Sequence, residues 1–336
     1  MKSILVTGGA GFIGSNFIRY FLDKYINYRI INIDKLTYAG NLENLKDCSN
    51  NSRYTFVKGD ICNRNLIQRL FEEFDIRGVI HFAAESHVDN SIKNPKEFIQ
   101  TNIEGTFVLL DAAFHHWMTS PNILRPGYED CRFHHISTDE VYGSLGKDGL
   151  FREDTPYSPN SPYSASKASS DFIVRAYHHT YGLNVTTSNC SNNYGPNQHR
   201  EKLIPHMINK AINGEKLPIY GNGQNIRDWL YVLDHCKAID LIFHSGRTGE
   251  TYNVGGRNEK TNLHIVNTIC DLLDKLKPRL DGRSYSEQIS FVKDRAGHDL
   301  RYAIDASKIE NELGWKAEET FETGIRKTVE WYLTKI

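Results

Sequence analysis

A phenol and an ammonium four residues apart can share one helical face, and Tyr-x-x-x-Lys occurs three times: Tyr20/Lys24, Tyr54/Lys58 and Tyr163/Lys167. Such a pair can take a proton from an alcohol if a nearby positive charge lowers the phenol from its usual pKa of about 10; a drop of about three units is worth roughly 4 kcal/mol. Position separates the three. Tyr20/Lys24 falls on the first expected helix, where covering that helix is its simpler role. Tyr54/Lys58 falls in an expected strand, where such residues lie about 13 Å apart. Tyr163/Lys167 opens a helix behind Ser161 as N-cap and Pro162 at the first helical position. Upstream, Ser137-Thr138-Asp139-Glu140-Val141-Tyr142-Gly143 combines a hydroxyl donor, Thr138, with two adjacent acids. Neighbouring carboxyl groups can divide their roles, one as base and the other, kept protonated, as acid.

These side chains need a frame. The apolar run Ile4 to Thr7 enters Gly8-Gly9-Ala10-Gly11-Phe12-Ile13-Gly14 and then a helical pattern. Gly9, Gly11 and Gly14 match G-x-G-x-x-G, a turn that lets backbone N–H groups and a helix N-terminus approach a pyrophosphate. Asp34 ends the next strand, twenty residues after Gly14. A carboxylate there suits the ribose hydroxyls of NAD and repels the 2′-phosphate of NADP. Further buried strands are expected at Ile30 to Ile33, Tyr54 to Val57, Val79 to Phe82, Phe133 to Ile136 and Val185 to Ser188, with helices at Phe12 to Tyr25, Leu66 to Phe74 and Pro95 to Trp117. In the last, Ile103, Phe107, Leu110, Phe114 and Trp117 mark one apolar face. The alternation predicts an α/β fold: a Rossmann-type doubly wound parallel sheet with a smaller, interleaved C-terminal α/β substrate-binding lobe. The NAD-binding domain is expected over 1–190, completed by part of 226–255, with 191–336 mainly the substrate lobe.

Composition excludes other classes. With 39% hydrophobic and 24% charged residues the chain reads as an ordinary globular protein. A net charge of −1 without a basic block argues against a nucleic-acid partner. No apolar run approaches the ~18 residues of a membrane span, and the Gly8–Gly14 segment breaks any signal-peptide core. Six scattered cysteines without a CxxC pair read as reduced thiols of a cytoplasmic protein. The adjacent pairs His115-His116, His134-His135 and His178-His179 have poor ligand geometry and HExxH is absent, so no metal is expected.

The glycine turn with Thr7, the segments Ala83-Ala84-Glu85-Ser86-His87-Val88-Asp89, Ser137–Gly143 and Tyr163-Ser164-Ala165-Ser166-Lys167 resemble the dTDP-glucose 4,6-dehydratases, of the extended short-chain dehydrogenase/reductase type. So do Ser191-Asn192-Asn193-Tyr194-Gly195-Pro196, Glu201-Lys202-Leu203-Ile204-Pro205, Arg227-Asp228-Trp229 and Asp294-Arg295-Ala296-Gly297-His298-Asp299, where Ala296 replaces that family's usual proline. The resemblance implies a hydro-lyase with a redox-neutral cycle. Tyr163 deprotonates the sugar O4 while hydride leaves C4 for NAD; Glu140 removes the C5 proton; Asp139 protonates the departing C6 hydroxyl; the hydride returns to C6. It further implies cofactor contacts from Gly8, Gly11, Phe12, Ile13, Gly14, Asp34, Lys35, Thr37, Asp60, Ile61, Phe82, Ala83, Ala84, Ser86, Thr101, Tyr163, Lys167 and Asn193. Substrate contacts are implied from Ser86, Thr138, Asn192, Lys202, Leu203, Pro218, Tyr220, Arg227, Asn262, Arg295 and His298. It implies a homodimer through helices around 97–117 and 161–181, and a place in rhamnose synthesis. The nucleotide base stays open among dTDP, UDP and CDP. A nucleotide-sugar 4-epimerase shares the fold and Tyr163/Lys167 but has no use for Asp139 and Glu140; a non-catalytic NAD-binding regulator is the alternative from another class.

Overall fold

A computed structural model describes residues 1–294 and 299–335. The strands in the first half are β1 (Lys2–Thr7), β2 (Tyr28–Asp34), β3 (Tyr54–Lys58), β4 (Ile76–His81), β5 (Met118–Ser120), β6 (Ile123–Leu124) and β7 (Arg132–Thr138). They are followed by β8 (Val185–Cys190), β9 (Asn192–Tyr194), β10 (Leu217–Tyr220), β11 (Ile226–Tyr231), β12 (Thr251–Val254), β13 (Glu259–Thr261) and β14 (Ile289–Val292). The helices are α1 (Phe12–Lys24), α2 (Arg64–Phe74), α3 (Val88–Lys93), α4 (Pro95–Phe98), α5 (Gly105–Trp117) and α6 (Pro162–Tyr181). Later come α7 (Leu203–Ile212), α8 (Val232–Ser245), α9 (Asn262–Leu276), α10 (Ser307–Leu313) and α11 (Phe321–Leu333).

Among the described residues, seven strands form one sheet in the order β3-β2-β1-β4-β7-β8-β12, each neighbouring pair parallel. This is the doubly wound sheet the alternation predicts. Its apolar runs are unbroken because both faces are covered. Leu5, Ile31, Val79 and Phe133 pack with Val108, Leu109 and Val174 of α5 and α6 on one side. Ile4, Val6, Ile80 and Ile136 pack with Phe17, Phe21, Val232 and Ile239 of α1 and α8 on the other. The winding reverses at β1, which has β2 on one side and β4 on the other. In such sheets ligands bind in the crevice beyond the carboxyl ends at that reversal.

A second core joins Tyr194, Met207, Trp229, Ile269, Phe321 and Ile325, from β9, α7, β11, α9 and α11. The chain crosses between the two bodies: after β11 it returns as α8 and β12 to the large sheet, Thr251 pairing with Thr187, before β13 pairs with β11. The expected single helix over Pro95–Trp117 is interrupted by a π turn at Ile99–Glu104. Ile103, Phe107 and Phe114 of the predicted stripe are half-buried, while Val108, Leu109, Ala112 and Ala113 between them are buried. A helix wedged between α2 and α6 is covered over a wider arc than one stripe. The cysteines are all free thiols. Among the described residues no helix is long and apolar enough to cross a membrane, and no three potential ligands gather for a metal ion.

Candidate active site

The glycine turn is built by close approach. Gly8 has φ +68°, and a Cβ there would meet Ala83 N and Cα at 2.7 Å, in the loop after β4. At Gly11 a Cβ would meet only Gly8 O, at 3.2 Å, with the cleft on its other side. Asp34 locks the turn to β2: its Oδ2 accepts Ala10 N–H at 3.0 Å and its Oδ1 accepts Leu36 N–H at 2.8 Å. It is therefore a buried, hydrogen-bonded carboxylate and not a solvated strand end; burial nonetheless raises its pKa against the pull of these two N–H groups.

One continuous cleft runs from Asp34, Lys35, Thr37, Asp60 and Ile61 past Gly8, Gly11, Phe12, Ile13 and Gly14. It continues along Phe82, Ala83, Ala84, Ser86, Thr101 and Asn193 to Thr138, Asp139, Glu140, Tyr163 and Lys167. Every residue expected at the cofactor thus lines it. A side-chain-free approach at Gly11, an acid at the end of β2 and a phenol–ammonium pair at the far end fit a dinucleotide such as NAD.

At that far end Thr138 closes β7 and caps the short turn Asp139–Tyr142, its Oγ1 accepting Glu140 N–H at 3.3 Å. Asp139 is 2% exposed; its Oδ1 accepts the Thr138 hydroxyl at 3.3 Å, and its Oδ2 has no hydrogen-bond partner among the described residues. Burial, then the charges of Glu140 and Asp228, hold this carboxyl well above the usual range, which favours its protonated form. Ser161 caps α6 and Pro162 occupies its first position, as the sequence predicts, with a reciprocal bond to Ser164. That places Tyr163 in the first turn and Lys167 one turn on, both buried.

The electrostatics of this pair differ from the expectation. Burial, then Glu140, pushes the Tyr163 phenol well above its ordinary value. Lys167 Nζ donates to Ile136 O at 2.8 Å, and burial pulls the ammonium down to about 8. Spacing places the two groups on one face but carries no information about desolvation, which dominates here. The other two Tyr-x-x-x-Lys pairs are engaged elsewhere: Tyr20 and Lys24 both donate to Asp240 Oδ2, at 2.8 and 2.6 Å, and Tyr54 OH accepts from Asn32.

Of the residues expected at the substrate, Ser86, Thr138, Asn192 and Lys202 line the cleft, Lys202 Nζ donating to Ser86 O at 3.1 Å. Leu203 begins α7 and packs on the second core; Pro218 and Tyr220 lie in β10, and Asn262 begins α9. Arg227 is no surface charge: it is 6% exposed, donates to the carbonyls of Ile226 and Asp299, and lies 4.3 Å from the Tyr302 ring centre. Arg295, His298 and the substituted Ala296 lie outside the described residues. The cleft also includes Glu85, Ser137, Cys190, Ser191, Gln198 and Glu201. The last three lie in or between the motifs at Ser191 and Glu201, whose contexts marked the region but not the individual side chains.

A glycine-turn Rossmann sheet whose cleft ends in Thr138 and a helix-borne Tyr163/Lys167 defines an extended short-chain dehydrogenase/reductase. Within that class the chain belongs to the GDP-mannose 4,6 dehydratase family, which it matches over residues 5–328. It is 56% identical to a dTDP-glucose 4,6-dehydratase of Xanthomonas campestris pv. campestris over 334 residues, 99% of this chain and 94% of that one. Its fold superposes on the Bacillus anthracis dTDP-glucose 4,6-dehydratase, solved in complex with NAD, with TM-score 0.86 and 49% identity over 99% and 97% of the two chains. A Thermotoga maritima UDP-glucose 4-epimerase, solved with UDP-glucose, gives nearly the same TM-score, 0.85, at 28% identity over 99% of each chain. Overall shape therefore does not separate dehydratase from epimerase; sequence identity does.

Proposed function

We infer that the protein is an NAD-dependent hydro-lyase that converts dTDP-glucose to dTDP-4-keto-6-deoxyglucose. The observation that carries this reading is the acid pair in the cleft: Asp139, a buried carboxyl whose Oδ2 has no hydrogen-bond partner among the described residues, directly beside Glu140, a pair that a dehydration needs and a C4 epimerisation does not. NAD, when bound, would supply the hydride acceptor for C4 and the hydride donor for C6, and its positive ring would favour the Tyr163 phenolate. Tyr163 takes the proton from O4, with Thr138 hydrogen-bonded to the sugar. Once C4 is a ketone the C5 hydrogen is acidic enough for Glu140 to remove, Asp139 protonates the C6 hydroxyl as it leaves as water, and C5 takes a solvent-exchanged proton back from Glu140 as hydride reaches C6. The cleft residues from Gly8 to Asn193 named above hold the cofactor. Ser86, Asn192 and Lys202, with Leu203, Pro218, Tyr220, Arg227, Asn262, Arg295 and His298, hold the nucleotide sugar, the cations serving its diphosphate.

The same reading assigns residues 1–190, with part of 226–255, to the cofactor domain and 191–336 mainly to the substrate lobe; the return of α8 and β12 to the large sheet supports it. The enzyme acts as a homodimer through the helices around 97–117 and 161–181, where Phe172 is 58% exposed, and works in the cytoplasm, where free thiols persist. Its product feeds rhamnose synthesis. Incubation with dTDP-glucose in D₂O, without added NAD, tests the function: the expected product is a 4-keto-6-deoxy sugar with deuterium at C5. A C4 epimer without deuterium, or NADH released with each turnover, overturns it. The same assay with UDP- and CDP-glucose tests the choice of base.

A further inference from the structure

Behind Lys167 lies a buried polar core that the steps above leave unused. One turn further along α6 stands Asp171, buried almost as completely as Lys167. Its Oδ1 lies 3.0 Å from His135 Nε2, and its Oδ2 accepts the Ser137 hydroxyl at 2.7 Å. Lys167 Nζ lies 3.4 Å from the same ring nitrogen. His135 is fully buried, and burial and Lys167 hold its pKa well below the ordinary value. Its Nε2 faces Asp171, Lys167 and the Ser170 hydroxyl, the last at 3.3 Å, and its Nδ1 has no hydrogen-bond partner among the described residues. The groups acting on the ammonium are Asp171 from its own helix, which supports the charge, the Cys190 thiol from β8, and the imidazoles of His135 on β7 and His81 on β4. Those around the carboxyl are Lys167, His135, Ser137, and the Tyr142 and Tyr157 phenols from the segment between β7 and α6. Burial pulls Lys167 down to about 8 even with this support, and pushes Asp171 up to about 6.

We propose that Asp171 is a positioning residue for the oxidation at C4: the buried counter-charge, itself held by His135 and Ser137, that keeps Lys167 protonated one turn from Tyr163. This rests on the reading of Tyr163/Lys167 as the oxidising pair. An ammonium that sheds its proton within the working range no longer favours the phenolate, so the charge at position 171 sets the upper pH limit of the step. Removing that charge makes proton loss from Lys167 easier and displaces the limit toward acid.

The experiment is a single-turnover pH profile of reduced-nicotinamide formation in the holoenzyme mixed with dTDP-glucose, for wild type, Asp171→Asn and Asp171→Glu. In Asp171→Asn the upper limb is expected about one pH unit or more lower, a loss of roughly tenfold on the alkaline side that shrinks on acidification, with sugar affinity and NAD content retained. Asp171→Glu, which keeps the charge, retains the wild-type limb even if its rate is reduced. A uniform loss with an undisplaced limb in Asp171→Asn overturns the proposal. Should that variant not fold, the nitrogen resonance of Lys167 is titrated in labelled holoenzyme of wild type and of Asp171→Ser, which keeps a hydroxyl but not the charge: a lower value in the variant is expected, and an equal value overturns the proposal. If wild type itself forms no reduced nicotinamide, the reading of Tyr163/Lys167 fails and this proposal falls with it; if it does and Asp171→Asn keeps the limb, the role of Asp171 alone fails.

Discussion

Replacing Tyr163 with Phe removes a hydroxyl and changes little else, because the ring is already buried against Phe98, 6.3 Å between centres. Initial oxidation is expected to slow by roughly 10²- to 10⁴-fold, the usual worth of a positioned acid or base, and no reduced nicotinamide should build up on mixing with sugar nucleotide. Glu140→Gln and Asp139→Asn act later, and reduced cofactor should accumulate in both. The two acids separate by leaving group. A substrate carrying fluorine at C6 departs without a proton, so it should restore elimination in Asp139→Asn but not in Glu140→Gln. Equal rescue of both variants contradicts the proposed division of roles between the buried Asp139 and Glu140. Residue types and spacing identified this acid pair and the Tyr163/Lys167 helix start; they did not carry the burial that raises the phenol or the His135–Asp171 contact, since both depend on which strand faces α6.

At the scale of elements, the site depends on where β1 stops and α1 starts. A Cβ at Gly8 would meet the Ala83 backbone at 2.7 Å in a conformation that side chains rarely adopt. Gly8→Ala is expected to lower stability by about 1–3 kcal/mol and to leave the purified protein depleted of NAD, read by a thermal melt and by cofactor content. Wild-type values of both contradict the strand–turn–helix account. This unit was legible because its signals are local: an apolar run, a glycine pattern, and an acid at the end of the next strand. The π turn at Ile99–Glu104 was not, because one inserted residue barely disturbs a spacing of threes and fours. Nor was β12 as a strand, although part of 226–255 was expected to complete the cofactor domain: its four residues pair with β8 across more than sixty positions of chain and carry no pattern of their own.

At the scale of the molecule, that return path decides whether the cofactor body can stand alone. A chain ending at Cys190 lacks α8, whose Val232, Cys236, Ile239 and Phe243 cover Ile4, Val6, Ile80 and Ile136 on one face of the sheet. It also lacks β12, so β8 becomes an open edge, and unpaired edges invite association. Asn253 of β12 ties the sheet to the segment between β7 and α6, accepting from Tyr142 OH at 2.9 Å and donating to Phe151 O at 3.1 Å. That segment is continuous with Thr138, Asp139 and Glu140, so losing β12 loosens the acid pair as well as the core. A fragment of residues 1–190 is therefore expected to bind an apolar dye, to unfold without a sharp transition and to retain no NAD. A soluble fragment with a cooperative melt and bound cofactor contradicts this, and would mean that the face left bare by α8 is not needed to hold the nucleotide crevice together.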